Sequence, residues 1–594
     1  VKLWSSGTTV TQVGASATTT ASGSFGLTFT CPSVQALMYV TATGGHIGAT
    51  GTSNAAVQLT SALGACGSLP TSIVVNELTS AAAAYALSGF AAPTGGSPSV
   101  SFQGKSPGLN QAFNTLTNLT VTSTGAFETT GPETNQLQVH QTLDTLANAM
   151  AACDASSPTG AACLELFSCA RVNAAFVSSG AVCTGGTSPT PIDTLSAAIA
   201  VTLNAGTVGL QGIWDVGTTT HLYSATVLAA SPNDWTLPMV YSLANYGPLA
   251  IDANGHIWVL SVDPHPPVNT TYPSLAVIEL DANFNLLSPA AHGWNGGGVQ
   301  SFDSTDVTNL AIDQEGNVWI GGSSTVIAEL NPLGAAVSPA GGWSTASGPG
   351  ATGPDATAGV AIDSAGHAWF ASGDTASTVY EMDWDGLPLS PPAGDAASNC
   401  PCNGIVADSS GTVWTVSASG LAGMPGGVQG SILSPPGYFN NTTFTSIAAD
   451  ASGSLWIADK HNHGVWEYKS SMTTWAPAAG GPFPNIAALN NPSSPGGIAI
   501  DGAGHKWVSN QSVPPAPPTP VSSSLTELSA DGSTNLSPTD GFGSGTINGA
   551  YSVAIDGSGN VWVADGGTTI IQFIGAAAPT RNPTASAVIS GFTP

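Results

Sequence analysis

Between residues 250 and 565 the chain repeats one alternation of apolar and polar positions seven times. Each copy is a short apolar run, Asp, two spacers, Gly, a polar residue, an apolar residue and Trp. The pairs are Asp252 and Trp258, Asp313 and Trp319, Asp363 and Trp369, Asp408 and Trp414, Asp450 and Trp456, Asp501 and Trp507, and Asp556 and Trp562. Successive Asp residues lie 42 to 61 positions apart. Asp-x-x-Gly between apolar runs predicts a tight reversal, because Asp accepts a bond from the backbone two residues on and Gly takes positive φ. Each copy therefore predicts an antiparallel hairpin with Trp in mid-strand, where a large flat side chain packs between neighbouring units. One hairpin cannot bury its apolar faces alone, whereas a closed ring can. Short strands at this period predict a seven-bladed β-propeller over residues 233–576.

After each Trp strand the alternation continues in Val277–Leu280, Ile327–Leu330, Val379–Met382, Val465–Tyr468, Leu525–Leu528 and, as a variant, Ile570–Phe573. A turn and a last strand ending in Ser-Pro follow most copies (Ser288-Pro289, Ser338-Pro339, Ser390-Pro391, Ser434-Pro435 and Ser537-Pro538). Alternation of this kind suits outer strands with one wet face, and Pro suits an edge that recruits no further strand. Four strands per blade are expected. The seventh copy lacks a fourth strand of its own, and Asp234–Tyr241 is expected to supply it. That leaves residues 577–594 as a C-terminal tail with a spare strand-like run, Ala585–Phe592.

The fifth copy continues as Ile457-Ala458-Asp459-Lys460-His461-Asn462-His463 and resembles the NHL-type propeller repeat of secreted and cell-surface bacterial proteins, with Gly464 where the family usually has Arg. The resemblance spans about residues 235 to 575 and implies the propeller fold. Propellers of this kind include binding platforms, streptogramin-type lyases and lactonases, so the fold alone assigns no function. No position here matches the site motifs of those enzymes.

Ahead of the propeller, residues 1–75 read as β: Lys2-Leu3-Trp4, Gly23–Cys31 and Ala36–Thr43, closed by Gly44-Gly45. Gly-x-Phe followed by a strand ending in Ala-Thr-Gly-Gly resembles the transthyretin-like or carboxypeptidase-regulatory-like sandwich, which implies a small β-sandwich whose first edge is incomplete here. Residues 76–232 switch to helix at Ser80–Leu87, Asn110–Leu116, Asn135–Ala152 and Pro191–Leu203, with a cysteine-rich loop over 153–183. The fold class is therefore mainly β: a seven-bladed propeller preceded by a small sandwich and a disulfide-containing helical region.

Composition narrows the setting. Seven Lys plus Arg face 35 Asp plus Glu, giving a net charge of −28 with only 7% charged residues. So few cations disfavour nucleic acid and anionic membranes, and no apolar run is long enough to insert in a bilayer. Carboxylates that protonate near pH ~4 leave such a surface with little self-repulsion in acid, so an acidic medium is expected to be tolerated. Eight cysteines without zinc spacing predict disulfides and an oxidising, extracellular or cell-surface location. The expected pairs are Cys31–Cys66, Cys153–Cys163 and Cys169–Cys183, with Cys400 and Cys402 left open. A chain opening on Val1 without an initiator Met reads as already processed.

Candidate chemistry is sparse. Asp459, His461 and His463 form the one His-x-His beside a carboxylate that could bind zinc, against an architectural reading as the repeat's own turn. His256, His367 and His505 share the slot after the turn Gly with Asn317, Thr412, Ser454 and Asn560, which reads as an exposed turn position. Repeated residues mark architecture, whereas a reaction centre needs a unique constellation. No catalytic, metal or cofactor-binding residue is assigned, and no cofactor is expected. The unique features are Pro-rich inserts at Val262–Pro273 and Val513–Pro520 and a longer loop at Ala418–Gly427, which offer Pro266, Tyr272, Pro515 and Pro518 as interface residues. With Val588 and Phe592 of the tail, they support an extracellular, non-enzymatic structural or adhesive subunit that assembles with copies of itself by head-to-tail strand donation. The alternatives are a carbohydrate- or peptide-binding module, with glycans or surface polymers as partners, and a metal-dependent lyase or lactonase.

Overall fold

The computed structural model describes residues 1–45, 53–219, 222–223, 227–244, 247–262, 275–302, 307–322, 326–344, 357–372, 378–390, 395–396, 402–417, 420–425, 443–461, 464–469, 494–511, 523–565 and 567–580. Two compact units result. The first is built on Val1–Val240 with Gly557–Asn560 and Gln572–Pro579, and the second on Tyr241–Asp556 with Val561–Ile571.

In the first unit, β1 (Lys2–Ser6), β2 (Thr11–Gln12), β3 (Leu37–Thr43) and β4 (Gln58–Ala65) form one antiparallel sheet in the order β2-β1-β3-β4. Thr11–Gln12 pairs with β1, so the edge expected to be incomplete is filled from within the chain. Met38 and Val40 project from one face into a cluster with Leu3, Val13 and Cys66. Gly23–Cys31, expected as a strand, forms none. It lays Phe25, Leu27 and Phe29 against that cluster without ladder bonds, so a single sheet stands where a two-sheet sandwich was expected.

Helix α1 (Glu77–Leu87) packs on β4. Thr60 N donates to Ser80 Oγ at 2.8 Å, and Thr79 Oγ1 donates to Thr60 O at 2.8 Å. Asn76 and Thr79 form a capping box at its start, satisfying backbone donors that a helix end leaves orphaned. Small side chains from Ala81 to Ala84 are fully buried and let α2 (Gly108–Thr115), α3 (Gln136–Asp154) and α5 (Thr194–Leu203) approach closely. The sheet and helices thus share one core, where the sequence suggested two regions. Two helices were not anticipated: α4 (Ala161–Cys169), inside the segment read as loop, and α6 (Leu210–Thr219). Both are short, and disulfides hold their surroundings. Cys153–Cys163 ties α3 to α4, Cys169–Cys183 ties the end of α4 to the following loop, and Cys31–Cys66 closes the sheet region. Gly212 of α6 faces the second of these bridges, where a Cβ would come within 2.4 Å of Cys169 Sγ.

The second unit is a succession of small antiparallel sheets, seven among the described residues, each holding one Asp–Trp copy. The first has Leu249–Ile251, Ile257–Val262 and Leu275–Leu280; the second Val307–Ile312, Val318–Gly322, Val326–Leu330 and Trp343–Ser344. The third has Thr357–Ile362, Ala368–Ser372, Thr378–Met382 and Asp395–Ala396; the fourth Cys402–Ala407, Thr412–Ser417 and Gly420–Pro425. The fifth has Phe444–Ala449, Ser454–Asp459 and Gly464–Lys469; the sixth Ser494–Ile500, Lys506–Gln511 and Ser524–Leu528. The seventh has Ala550–Ile555, Val561–Asp565 and Thr569–Phe573, with Pro238–Ser242 as its fourth strand. The leading strand of each sheet neighbours that of the next, and Leu249–Ile251 of the first also neighbours Ala550–Ile555 of the last. The arrangement is propeller-like.

Only the second, third and seventh sheets show a fourth strand among the described residues. Among the described residues the runs ahead of Ser-Pro make only isolated antiparallel bridges to the third strand (Leu280 with Leu286, Leu330 with Ala336, Met382 with Pro388 and Leu528 with Asn535) and no continuous ladder, while Ser434-Pro435 lies outside the described residues. Instead Ser288, Ser338, Ser390 and Ser537 accept the backbone N–H of Glu279, Glu329, Glu381 and Glu527 on their hydroxyls. Proline has no N–H to continue a ladder, so a serine hydroxyl takes over the pairing. Gly420–Pro425, part of the segment read as a lengthened loop, is the third strand of the fourth sheet.

Each repeat is locked by its Asp, which bonds in two directions. In the first six copies, Oδ1 accepts the N–H of residues two and four further on; at Asp313 these are Glu315 at 3.0 Å and Asn317 at 2.8 Å. The seven turn glycines sit between φ +79° and +89°. In all seven copies Oδ2 accepts the indole N–H of the Trp six residues on, at distances from 2.7 to 3.5 Å. The indoles are at most 1% exposed and pack among residues of the adjoining sheet, as Trp456 does with Ile498, Ile500 and Val508. A buried indole N–H without an acceptor costs about 1–3 kcal/mol, so the turn and the core are coupled through one carboxylate. Asp313→Ala is expected to lower stability by about 2–4 kcal/mol in urea unfolding. Asp281→Ala, at an outer turn where Oδ1 accepts the N–H of Asn283 and Asn285 but no indole is bonded, should lose less. Equal losses would show that the indole bond adds nothing.

Candidate functional site

The register of the second and third strands sets glutamates directly across from the tryptophans: Trp258 faces Glu279, Trp319 Glu329, Trp369 Glu381, Trp456 Glu467 and Trp507 Glu527. In the fourth sheet Trp414 faces Gly423, where a Cβ would come within 2.5 Å of the indole.

His256, His367 and His505 are not the free turn residues the sequence suggested. Each is only 28–31% exposed, and its Nδ1 lies 2.7–2.9 Å from Oε1 of Glu279, Glu381 or Glu527. The turn Asp Oδ2 is 3.4–3.9 Å away. Three Asp–His–Glu clusters result, with ligand atoms within 4.8 Å of one another. Two carboxylates and an imidazole are donors that suit a divalent ion. Here the imidazole is already bonded to the Glu and the Asp to the indole, so each cluster is a closed bonding network. The signal in the sequence was the pairing itself, since His after the turn Gly occurs only where a Glu stands in the third strand.

The fifth sheet meets its glutamate differently. Glu467 Oε1 is 3.2 Å from Lys469 Nζ. Lys506, only 1% exposed, holds Nζ 3.7 Å above the Trp456 ring and 3.9 Å from Asp450 Oδ2, and burial pushes it down to about 8. Glu329 of the second sheet has no basic partner among the described residues. Asn317 occupies the histidine slot, Glu329 Oε2 accepts Trp343 Nε1 at 3.1 Å, and the fully buried Oε1 has no bonding partner.

Of the candidate zinc group, Asp459 is committed elsewhere. Its Oδ1 accepts the N–H of Thr443 and of His461, and its Oδ2 accepts Trp466 Nε1. His463 lies outside the described residues, as do Pro266, Tyr272, Pro515, Pro518, Val588, Phe592 and Cys400. Cys402 is buried and disulfide-bonded.

A separate group of acids sits in the first unit. The Tyr223 hydroxyl donates to Glu77 Oε2, and Asp154 closes α3 nearby. Burial, with the Glu77 carboxylate beside it, pushes Asp154 up to about 9, and burial pushes Glu165 up to about 7.

These observations define a mainly β, propeller-like protein with a disulfide-bonded helical region. No protein-family model matches the chain, and no curated protein sequence does. Among solved structures it is similar to a streptogramin B lyase at 12% identity and TM-score 0.39, over 56% of this chain and 97% of that one. It is similar to virginiamycin B lyase from Staphylococcus aureus at 13% identity and TM-score 0.40, over 57% and 99%. It is also similar to YCF48 bound to D1 peptide at 11% identity and TM-score 0.38, over 57% and 96%. Likeness at this level carries no argument about activity or ligands.

The buried acids give a pH dependence with a definite sign. Burial also raises Glu329 to about 7 and lifts Glu133 and Glu527. His256 and His505 are raised by their hydrogen bonds to Glu279 and Glu527. A group whose folded pKa exceeds its unfolded value stabilises the fold fully below the unfolded value, and that contribution is lost as pH rises through the folded one. For the carboxyls the window runs from about 4 to about 9. His140, lowered by burial, opposes them, and Lys506 acts mainly above about 8. The melting temperature is therefore expected to fall by on the order of 5 °C between about pH 5 and about pH 8.5. A flat or rising profile in differential scanning calorimetry would contradict it.

Proposed function

We propose that the chain is an extracellular, seven-bladed β-propeller protein with a structural or adhesive role, working as a self-assembling subunit rather than an enzyme. The carrying observation is how its repeated polar groups are used. Each turn Asp joins a turn or an indole to the core, and four glutamates are tied to a His or Lys. The same polar constellation recurs from sheet to sheet, as architecture does, whereas a reaction centre depends on one asymmetric arrangement. The neighbouring of the first and last leading strands supports ring closure, since a ring removes the exposed sheet edges that an open row would leave. Three disulfides support an oxidising compartment.

For assembly the support is chemical. A surface with few charges presents little repulsion between copies, and the tail carries a short apolar run, Val588-Ile589, with Phe592 beyond it, of a kind that suits a donated strand. Purified full chain is expected to form ordered oligomers or filaments in negative-stain electron microscopy at mildly acidic pH. Removing residues 583–594 should leave the melting temperature nearly unchanged and abolish those assemblies. Undiminished assembly of the shortened chain would reject strand donation, and a strictly monomeric full chain would reject the subunit reading.

A further inference from the structure

The glutamates facing the tryptophans form an internal series in which one member differs. Among the described residues, Glu279, Glu381 and Glu527 each hold a histidine, and Glu467 holds Lys469. Where no base stands in the turn slot of the fourth and seventh sheets (Thr412 and Asn560), the corresponding third-strand residue is uncharged, Gly423 or Gln572. Glu329 breaks this rule: it keeps the carboxylate but has Asn317 in place of the base. Its side chain is 0% exposed, and Oε1 has no bonding partner. A buried carboxyl without a counter-ion tends to keep its proton, and a cation brought beside it favours the ionised form.

A cleft of ≈ 800 Å³ opens at this point, lined by Glu329, Glu315, Asp385, Trp343 and Trp384 together with the turn of the third sheet. Trp384, unusually for an indole, is 59% exposed. Trp343 is oriented by its bond to Glu329 Oε2. Asp313, Glu315 and Asp385 all disfavour the ionised Glu329, so a negative field fills the cleft and no described cation answers it. The fold already seats a cation in comparable surroundings, because Lys506 Nζ lies over the Trp456 ring beside Asp450.

We propose that this cleft binds an alkylammonium group, either a free organic amine or a lysine side chain of a partner protein, with Glu329 Oε1 as its counter-ion and the indoles of Trp343 and Trp384 packing against its carbon chain. A carboxylate supplies the ion pair, and indole faces attract a cation and cover methylene groups. The cleft is larger than a bare metal ion needs, and its aromatic lining is unlike the oxygen cage of a hard cation. This site stands independently of the assembly reading.

The test is isothermal titration of the full chain with n-butylammonium and with Nα-acetyl-lysine methylamide, using calcium chloride as the metal control. Saturable binding of the amines is expected, weakened about tenfold or more in Glu329→Gln, equivalent to about 1.4 kcal/mol. Asn317→His provides a second variant that does not depend on removing the acid. It should place an imidazole against Glu329 as in the first, third and sixth sheets, raising the melting temperature and reducing amine binding. Tighter binding of the lysine compound would point to a partner's side chain, and equal binding to a free amine. No amine binding, calcium binding alone, or unchanged binding in a folded Glu329→Gln would overturn the proposal, as would full binding by Asn317→His.

Discussion

The architecture of the second unit depends on a carboxylate that bonds in two directions. In the first six copies the repeated Asp turns the chain with one oxygen and holds a buried indole with the other, as Asp313 does. An indole without an acceptor would leave a polar group stranded in the core. Because both oxygens belong to one short side chain, the angle of the hairpin and the depth of the tryptophan are set together. Seven repetitions then give consecutive sheets matching surfaces, so that an apolar core runs through the succession without a large contribution from any single one.

The charge distribution follows the same economy. With so few basic residues in the whole chain, the three histidines, Lys469 and the nearly inaccessible Lys506 of the second unit each stand against a carboxylate of the repeat. Burial pushes acids elsewhere upward, Asp154 to about 9. Against this background Glu329, without a basic partner among the described residues, is an exception with a definite location, in a cleft that joins acids to an exposed indole.

Much of the second unit was legible in the primary structure because its signals are local and repeated. Asp, Gly and Trp at fixed spacing fix a turn and a buried strand, and the glutamate strands stand out by alternation. What failed did so for physical reasons. The third strand of the fourth sheet went unseen because Gly423 replaces the glutamate, a replacement required by the ring of Trp414 across the ladder. A last strand ending in Ser-Pro was expected, but that run makes only isolated bridges to the third strand, and the serine hydroxyl accepts the glutamate N–H. Gly23–Cys31 alternates like a strand and lays its aromatic side chains on the sheet's core, yet it joins no ladder. Short α4 is crosslinked by disulfides to α3 and to the loop after it, and α6 buries Gly212, Ile213, Val216 and Gly217 on one face, a pattern in which two of the four positions are glycine.

By itself the sequence determined the hairpins, their number and the cysteine pairs, since those follow from φ preferences, side-chain period and proximity along the chain. Only the tertiary structure decided the chemistry of the polar residues. Whether a histidine after a glycine is wet or bonded depends on a glutamate 14 to 23 residues away. Whether a glutamate has a counter-ion depends on which side chain the ladder sets beside it. Cross-strand register carries that information, and register is a property of the folded sheet.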